Sequence, residues 1–247
     1  MATALKPPAD DTCVLRQGSI CYHRNLIQGS EEWHQMRCGL LTASEIKLIL
    51  TPTLKIAANV KERAHLWELA AQRITQFVEP TYVGDDMLRG HDDEITAREL
   101  YSKRIAPVVE CGFITNDKWG FRLGCSPDGL VGDDGLIEAK SRRQRFQIQT
   151  IVEHYESGAI PEDYVLQVQA ELLVTERKWC DLISFSGGLP MATMRVFPDA
   201  AIHEAILDAA AKFESRISAV VADYRAALKA DALLIPTERR VEQEMYV

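Results

Sequence analysis

The 247-residue sequence has no apolar run approaching the roughly 18 residues that a membrane span needs. Met1 to Asp11 contains one lysine, two prolines and two aspartates but lacks the apolar centre of a secretory signal. The expected compartment is therefore the cytoplasm, with no membrane partner. The six cysteines (Cys13, Cys21, Cys38, Cys111, Cys125, Cys180) include no CxxC pair. That spacing argues against a zinc ribbon, gives no support for an iron–sulfur cluster and predicts reduced, structural thiols. Low-complexity tracts and internal repeats are also absent, and 47% apolar with 26% charged residues is ordinary for a folded globular chain. Acids outnumber bases, 36 Asp and Glu against 28 Lys and Arg. A net charge of −8 counts against a protein that coats nucleic acid nonspecifically, because such binding rests on neutralising phosphates with Lys and Arg. Any nucleic-acid site must be local, and the densest basic run is Lys140, Arg142, Arg143 and Arg145.

The length allows one elaborated domain, and a single domain over 1–247 is the working expectation. Thr42-Ala43-Ser44-Glu45 has the form of a capping box opening a short helix that ends by about Leu50, before Pro52. Further helices are predicted over about 60–78 and, after Gly90, over about 91–105. Val108, Val109, Phe113 and Ile114 suggest a strand, Asn116-Asp117 a turn, and Trp119 to Cys125 a returning strand. Pro127-Asp128-Gly129 reads as a turn, and Leu136 to Lys140 as a short apolar strand carrying two charges. Tyr164, Val165, Val168, Leu172 and Leu173 recur at helical spacing, Trp179 to Phe185 is a strand, and another strand covers 192–197. Asp199 can cap a long helix reaching about 230. The order helix, three strands, helix, strand predicts an α/β fold. The tail from Thr237 to Val247 carries no readable signal.

Side chains alternate along a strand, so Glu138 and Lys140 share one face while Ile137 and Ala139 point to the other. Asp128 reaches the same face if its strand neighbours theirs. Two carboxylates and an ammonium then converge, a set suited to Mg²⁺, which takes hard oxygen ligands and keeps several waters. Such a metal can polarise a phosphoryl oxygen, and a second ion can stabilise the leaving oxygen. The bare pattern arises often by chance, with Asp128 as a turn residue and the Glu138/Lys140 pair on a solvated edge strand.

A second site lies far upstream. The first turn of the Thr42 helix offers free N–H groups to an anion, Ser44 adds a hydroxyl, and Arg37 adds a planar guanidinium fork. Trp33 reads as a packing residue.

Three blocks occur together and in order: Glu32-Trp33-His34-Gln35-Met36-Arg37-Cys38-Gly39-Leu40-Leu41-Thr42-Ala43-Ser44-Glu45; Cys125-Ser126-Pro127-Asp128-Gly129-Leu130 with Glu138-Ala139-Lys140; and Gln167-Val168-Gln169. Over roughly residues 29–186 the sequence resembles the λ exonuclease and YqaJ-type viral recombinase family of the PD-(D/E)XK nuclease superfamily. The resemblance implies a central mixed sheet flanked by helices in the order α-β-β-β-α-β, with added N- and C-terminal helices. It places a 5′-phosphate-anchor region at about 29–50, a catalytic core at about 88–197 and a C-terminal helix at about 199–230. It implies that Asp128 and Glu138 ligate Mg²⁺, with Mn²⁺ as a substitute, and that Lys140 is the catalytic lysine. Gly90-His91-Asp92-Asp93-Glu94 resembles the family's Gly-xxx-Glu, making Glu94 a candidate third acid. The helix dipole would equally favour these acids near a helix start. Gln167 matches the family's helix glutamine, although periodicity alone does not separate it from Gln169.

The same resemblance implies that Arg37 and Ser44 hold a terminal 5′-phosphate. The expected activity is 5′-to-3′ digestion of linear double-stranded DNA by a homotrimeric ring, leaving a 3′ single-stranded tail for a single-strand annealing protein. The setting it implies is the bacterial host of a phage or prophage. By their position after the Lys140 strand, Arg142, Arg143 and Arg145 would steer the DNA backbone, with a solvated charged loop as the competing account. Two rivals stand beside this reading: a structure-specific or restriction-type endonuclease of the same superfamily, and a catalytically inactive DNA-binding assembly subunit.

Overall fold

The computed structural model describes residues 15–80, 84–230 and 233–239. Its first described elements are a hairpin of β1 (Leu15–Gln17) and β2 (Ile20–His23), whose strands are too short to show an alternating pattern in the sequence. Helix α1 (Glu31–Arg37) follows, capped by the Ser30 side chain, which accepts from Trp33 N. The two-residue strand β3 (Leu41–Thr42) then leads into a 3₁₀ turn (Ala43–Glu45) and α2 (Ile46–Ile49). The expected capping box is present: Thr42 N donates to Glu45 Oε2 at 2.9 Å. The chain becomes extended at Leu50, where the helix was expected to stop.

Asn59 caps α3 (Val60–Thr75) by accepting from Lys61 N and Glu62 N. Helix α4 spans Asp85–Arg104, so it starts before Gly90 rather than after it. Gly90 sits inside this helix with open space around it, so a missing Cβ disturbs no packing there.

The expected hairpin narrows to β4 (Phe113–Asn116) and β5 (Leu123–Cys125), while Val109 makes only an isolated bridge to Leu130. Next come β6 (Gly129–Val131) and β7 (Gly135–Ser141). Gly129 therefore opens a strand instead of completing a turn, and a Cβ there would meet Val108 Cγ1 at 2.1 Å. The chain continues through α5 (Gln144–Gln149), a π-helical segment (Thr150–Tyr155), α6 (Glu162–Thr175), β8 (Trp179–Phe185), β9 (Ala192–Val196) and α7 (Ala200–Ala230). Asp199 Oδ1 accepts from Ala201 N and Ile202 N, capping α7 as its sequence predicts.

In place of one sheet, the strands form a five-stranded sheet ordered β1-β2-β4-β5-β3 and a four-stranded sheet ordered β6-β7-β8-β9. The division falls at Ser126-Pro127-Asp128, between β5 and β6. Strands β7 and β8 pair in parallel and are flanked by β6 and β9 in antiparallel. One face of this sheet packs Ile137 and Ile183 against Ala97 and Tyr101 of α4. On the other face, α6 buries Leu166, Val168 and Leu172 against Leu136, Leu182, Ile114 and Leu123. Helix α7 closes the outside through Ile206, Phe213 and Ile217.

Cys38, Cys111, Cys125 and Cys180 are free thiols. Cys21 is disulfide-bonded, which departs from the expectation of six reduced thiols. Among the described residues no helix is long and apolar enough to cross a membrane.

Candidate active site

Strand β7 lies between α4 and α6, so its alternation carries Ile137 toward α4 and Glu138 and Lys140 toward α6. Lys140 Nζ donates to Glu138 Oε1 at 2.6 Å and to Gln167 Oε1 at 3.0 Å, while Gln167 Nε2 donates to Glu138 Oε1 at 2.6 Å. The three side chains form a closed hydrogen-bonded triangle across the strand–helix interface. Asp128 enters from the loop before β6. Its Oδ2 accepts from Ala139 N at 2.5 Å, and its own N–H donates to Ile137 O at 3.1 Å, which pins the carboxylate to the backbone of β7.

Glu94 lies well inside α4, away from its first turn, so the dipole account of this acid does not apply. Arg98, one turn on, donates to Glu94 Oε1 at 2.8 Å and to the Asp128 carbonyl at 3.2 Å. That guanidinium ties α4 to the loop bearing Asp128. Gln169 points elsewhere: it donates to Phe197 O and accepts from Asp199 N, fastening the β9–α7 junction.

Sequence reasoning missed Glu171. It follows Gln167 by one helical turn, accepts from Gln167 Nε2 at 3.0 Å and is almost fully buried. An acid set directly before Leu172-Leu173 on an apolar helix was the available signal. Burial pushes the Glu171 carboxyl well above the usual carboxylate range, and the Glu138 charge adds to the shift. Asp128 is raised by burial first, then by Glu138 and Glu94. Glu94 is also raised, chiefly by burial and against the opposing pull of Arg98. Burial alone would lower Lys140, but Glu138 and Asp128 outweigh it and the net shift is upward, so the amine is an ammonium.

The site thus holds more carboxyl groups than Lys140 alone could balance as carboxylates. Among the described residues, Glu138 Oε2 and Glu171 Oε2 are buried without a hydrogen-bond partner. No three His, Cys, Asp or Glu side chains among the described residues converge into a ready-made metal cage. Mg²⁺ does not require one, since it is commonly held by one or two carboxylates together with waters and substrate phosphate. The orphaned oxygen of Glu138 and the destabilised carboxylate of Asp128 fit a hard cation.

The upstream residues come to the same place. Strand β3 pairs in parallel with β5, Leu41 opposite Leu123 and Thr42 opposite Gly124, which sets the Thr42 turn beside the loop leading to Asp128. Arg37 Nη2 donates to Thr42 Oγ1 at 3.1 Å, and that hydroxyl lies 3.3 Å from Ser44 Oγ. Trp33 packs under the Arg37 guanidinium at 4.3 Å, and its Nε1 donates to Gly112 O and Ser126 Oγ, both at 3.0 Å. A cavity of about 190 Å³ is lined by Arg37 and Ser44 on one side and by Asp128, Glu138, Gln167 and Glu171 on the other. A neighbouring cavity of about 220 Å³ shares Asp128 and is lined by Glu94, Arg98 and His91. Arg142, Arg143 and Arg145 leave β7 beyond Lys140; Arg142 is half-buried, and the other two are exposed.

This arrangement of β7, β8, α4 and α6 around an acid–acid–lysine set is a nuclease fold of the PD-(D/E)XK type. The chain belongs to the YqaJ-like viral recombinase domain family, whose domain matches residues 32–178. It is similar to an alkaline exonuclease from Laribacter hongkongensis at 30% identity and a TM-score of 0.66, over 82% of this chain and 100% of that one. The dAMP complex of that enzyme matches at 31% identity and a TM-score of 0.67, with the same coverage. A phage-related exonuclease from Haemophilus somnus 129PT shares the fold at 10% identity and a TM-score of 0.54, over 75% of this chain and 96% of that one. No curated protein sequence matches significantly.

Proposed function

We propose that this protein is an end-dependent exonuclease that degrades one strand of linear double-stranded DNA from its 5′-phosphate, leaving a 3′ single-stranded tail. The observation that carries this reading is the single cavity in which Arg37 and Ser44 face Asp128 and Glu138. A generic nuclease site needs only the acids and the lysine. A cationic fork and a hydroxyl within the same cavity add a place for a terminal phosphate beside the scissile one. Family membership and the alkaline exonuclease relatives agree with a phage-type exonuclease.

Arg37, stacked on Trp33 and bonded to Thr42, is held ready to donate to a phosphate, with Ser44 donating alongside. Lys140 places its ammonium at Glu138, where it offsets charge on a phosphoryl oxygen. Gln167 fixes both of these side chains. Asp128 and Glu138, with Glu94 beyond Arg98, are the residues that would hold Mg²⁺, with Mn²⁺ as a substitute. The chemistry that ion supplies when bound is Lewis-acid polarisation of the scissile group.

The reading extends, by family resemblance, to a homotrimeric ring around the duplex and to a single-strand annealing protein as partner. A ring reconciles a chain of net charge −8 with DNA binding, because only its channel has to be basic. Digestion of linear duplexes bearing 5′-phosphate or 5′-hydroxyl ends, with Mg²⁺ and with closed circular DNA alongside, tests it. Mononucleotides released from phosphorylated ends are expected. Cutting of closed circles as readily as linear DNA would favour the endonuclease, and inert protein the binding subunit.

A further inference from the structure

Lys140 stands at one end of an uninterrupted run of stacked cations and aromatic rings. Its Nζ lies 5.4 Å from the centre of the Tyr164 ring, and Arg142 Cζ lies 5.3 Å from the same ring. Arg142 Nη1 donates to the Tyr164 hydroxyl at 2.5 Å. Arg142 Cζ is also 5.1 Å from the Phe146 ring, which Arg145 Cζ approaches to 4.4 Å. The run therefore reads Lys140, Tyr164, Arg142, Phe146, Arg145, and it leads from the candidate active site to an exposed surface.

None of Tyr164, Arg142, Phe146 and Arg145 lines the cavity shared by Arg37, Ser44 and the acids. The ladder meets the cavity wall at Lys140, whose ammonium bonds to the cavity-lining Glu138 and Gln167. Among the described residues no carboxylate pairs with Arg142 or Arg145, and the buried Arg142 Nε has no hydrogen-bond partner. A purely structural stack would have its donors satisfied, since an unpaired buried N–H is costly. At the outer end the exposed Arg145 guanidinium can donate to phosphate oxygens, and it and the exposed Phe146 ring present flat apolar surface to a base.

We propose that Tyr164, Arg142, Phe146 and Arg145 form a second binding site, for nucleotides of the cut strand that fray from the duplex on the 3′ side of the scissile phosphate. This rests on the exonuclease reading for its polarity: with the 5′-phosphate at Arg37 and the reacting phosphate at Lys140, the strand continues onto the ladder. Ring faces select unpaired nucleotides, because duplex bases stack on one another and show only their edges in the grooves. The guanidiniums serve both purposes, stacking on bases and pairing with phosphate. Arg142 N–H donates to Phe185 O at 2.7 Å, which holds the start of the ladder rigidly to the sheet.

The test measures anisotropy of a 3′-labelled, 5′-phosphorylated oligodeoxyadenylate and of an abasic oligonucleotide of the same length, in Ca²⁺ to prevent turnover. Phe146→Ala removes no charge from an exposed position, so it should weaken binding of the adenylate strand by about ten-fold and leave the abasic strand unchanged. Phe146→Tyr should restore it. Arg142→Ala should weaken both strands and reduce the slope of log affinity against log salt by about one. Equal effects of Phe146→Ala on both strands, or no effect on either, would overturn the proposal. Wild-type protein that binds in this pattern but degrades no DNA in Mg²⁺ would defeat the exonuclease reading while leaving the base-binding site standing.

Discussion

Lys140 Nζ and Glu138 Oε1 lie 2.6 Å apart on one face of β7, buried under α6, with Gln167 bonded to both. An ammonium so placed cannot be exchanged for another cation of different shape, because Gln167 and Glu138 fix the reach and direction of its donors. Lys140→Met should lower kcat by about 10²–10³ with little change in KM for DNA, as expected for a group that stabilises transition-state charge. Lys140→Arg should restore little of the loss. Steady-state digestion of a phosphorylated linear duplex measures both.

Arg37 and Ser44 meet through Thr42, and the three belong to one hydrogen-bonded chain. Arg37→Ala should reduce the preference for a 5′-phosphate over a 5′-hydroxyl end by about ten- to a hundred-fold, from the roughly 1.5–3 kcal/mol of a hydrogen bond to a charged group. Ser44→Ala should do the same more weakly. A competition assay with paired ends reads this directly, and an unchanged ratio with reduced turnover would place both residues in chemistry instead.

Gly39 carries the turn between α1 and β3 at φ +68°, and a Cβ there would meet Arg73 Cγ at 2.5 Å. Arg73 Nε donates to Gly39 O at 2.7 Å, and its other nitrogens hold Glu214 of α7 at 2.8 and 2.7 Å. Gly39→Ala should cost about 1–3 kcal/mol of stability, visible as a lower Tm. End discrimination should fall with it, since Arg37 and Thr42 flank the strained turn.

Glu171 is raised by burial and by Glu138. The native carboxyl holds its proton to higher pH than the unfolded one. Its contribution to stability is therefore full below the ordinary carboxylate range and is lost as pH rises through the native value. In EDTA, the Tm of the wild type should fall as pH rises above that range, and Glu171→Gln should flatten the profile and raise Tm at neutral pH. Scanning calorimetry across pH decides it.

Mg²⁺ at a hundred times its Kd should stabilise the wild type by about 2.7 kcal/mol, seen as a higher Tm, and Asp128→Asn much less. Thermal unfolding with and without Mg²⁺ needs no turnover, so it separates metal binding from catalysis. Equal Mg²⁺ stabilisation of both proteins would remove Asp128 from the ligand set.

Local chemistry made part of this site legible in the sequence. A period of two puts Glu138 and Lys140 on one face of β7, and the Thr42–Glu45 box and the Asp199 cap are contacts over a few residues whose geometry follows from residue type. The α4 start, the second sheet and the β1–β2 hairpin were not legible, because short strands carry too few residues to show a period and Gly90 has the appearance of a boundary. Glu171 escaped notice for a similar reason: an acid on an apolar helix looks like a solvated residue until its neighbours are known.

The sequence by itself put Glu138 and Lys140 on one face of a strand and encoded the capped turn, each within a few residues of its own chain. Only the tertiary structure brought Asp128 to that strand and set Asp128, Glu138 and the capped turn around one cavity. Parallel pairing of β3 with β5 brings Thr42 opposite Gly124, α6 turns Gln167 rather than Gln169 toward β7, and Arg98 fastens Glu94 to the Asp128 loop. Those contacts join residues about thirty to eighty positions apart, beyond the reach of any local pattern, and they form because burying the two sheets between α4, α6 and α7 leaves these side chains facing each other.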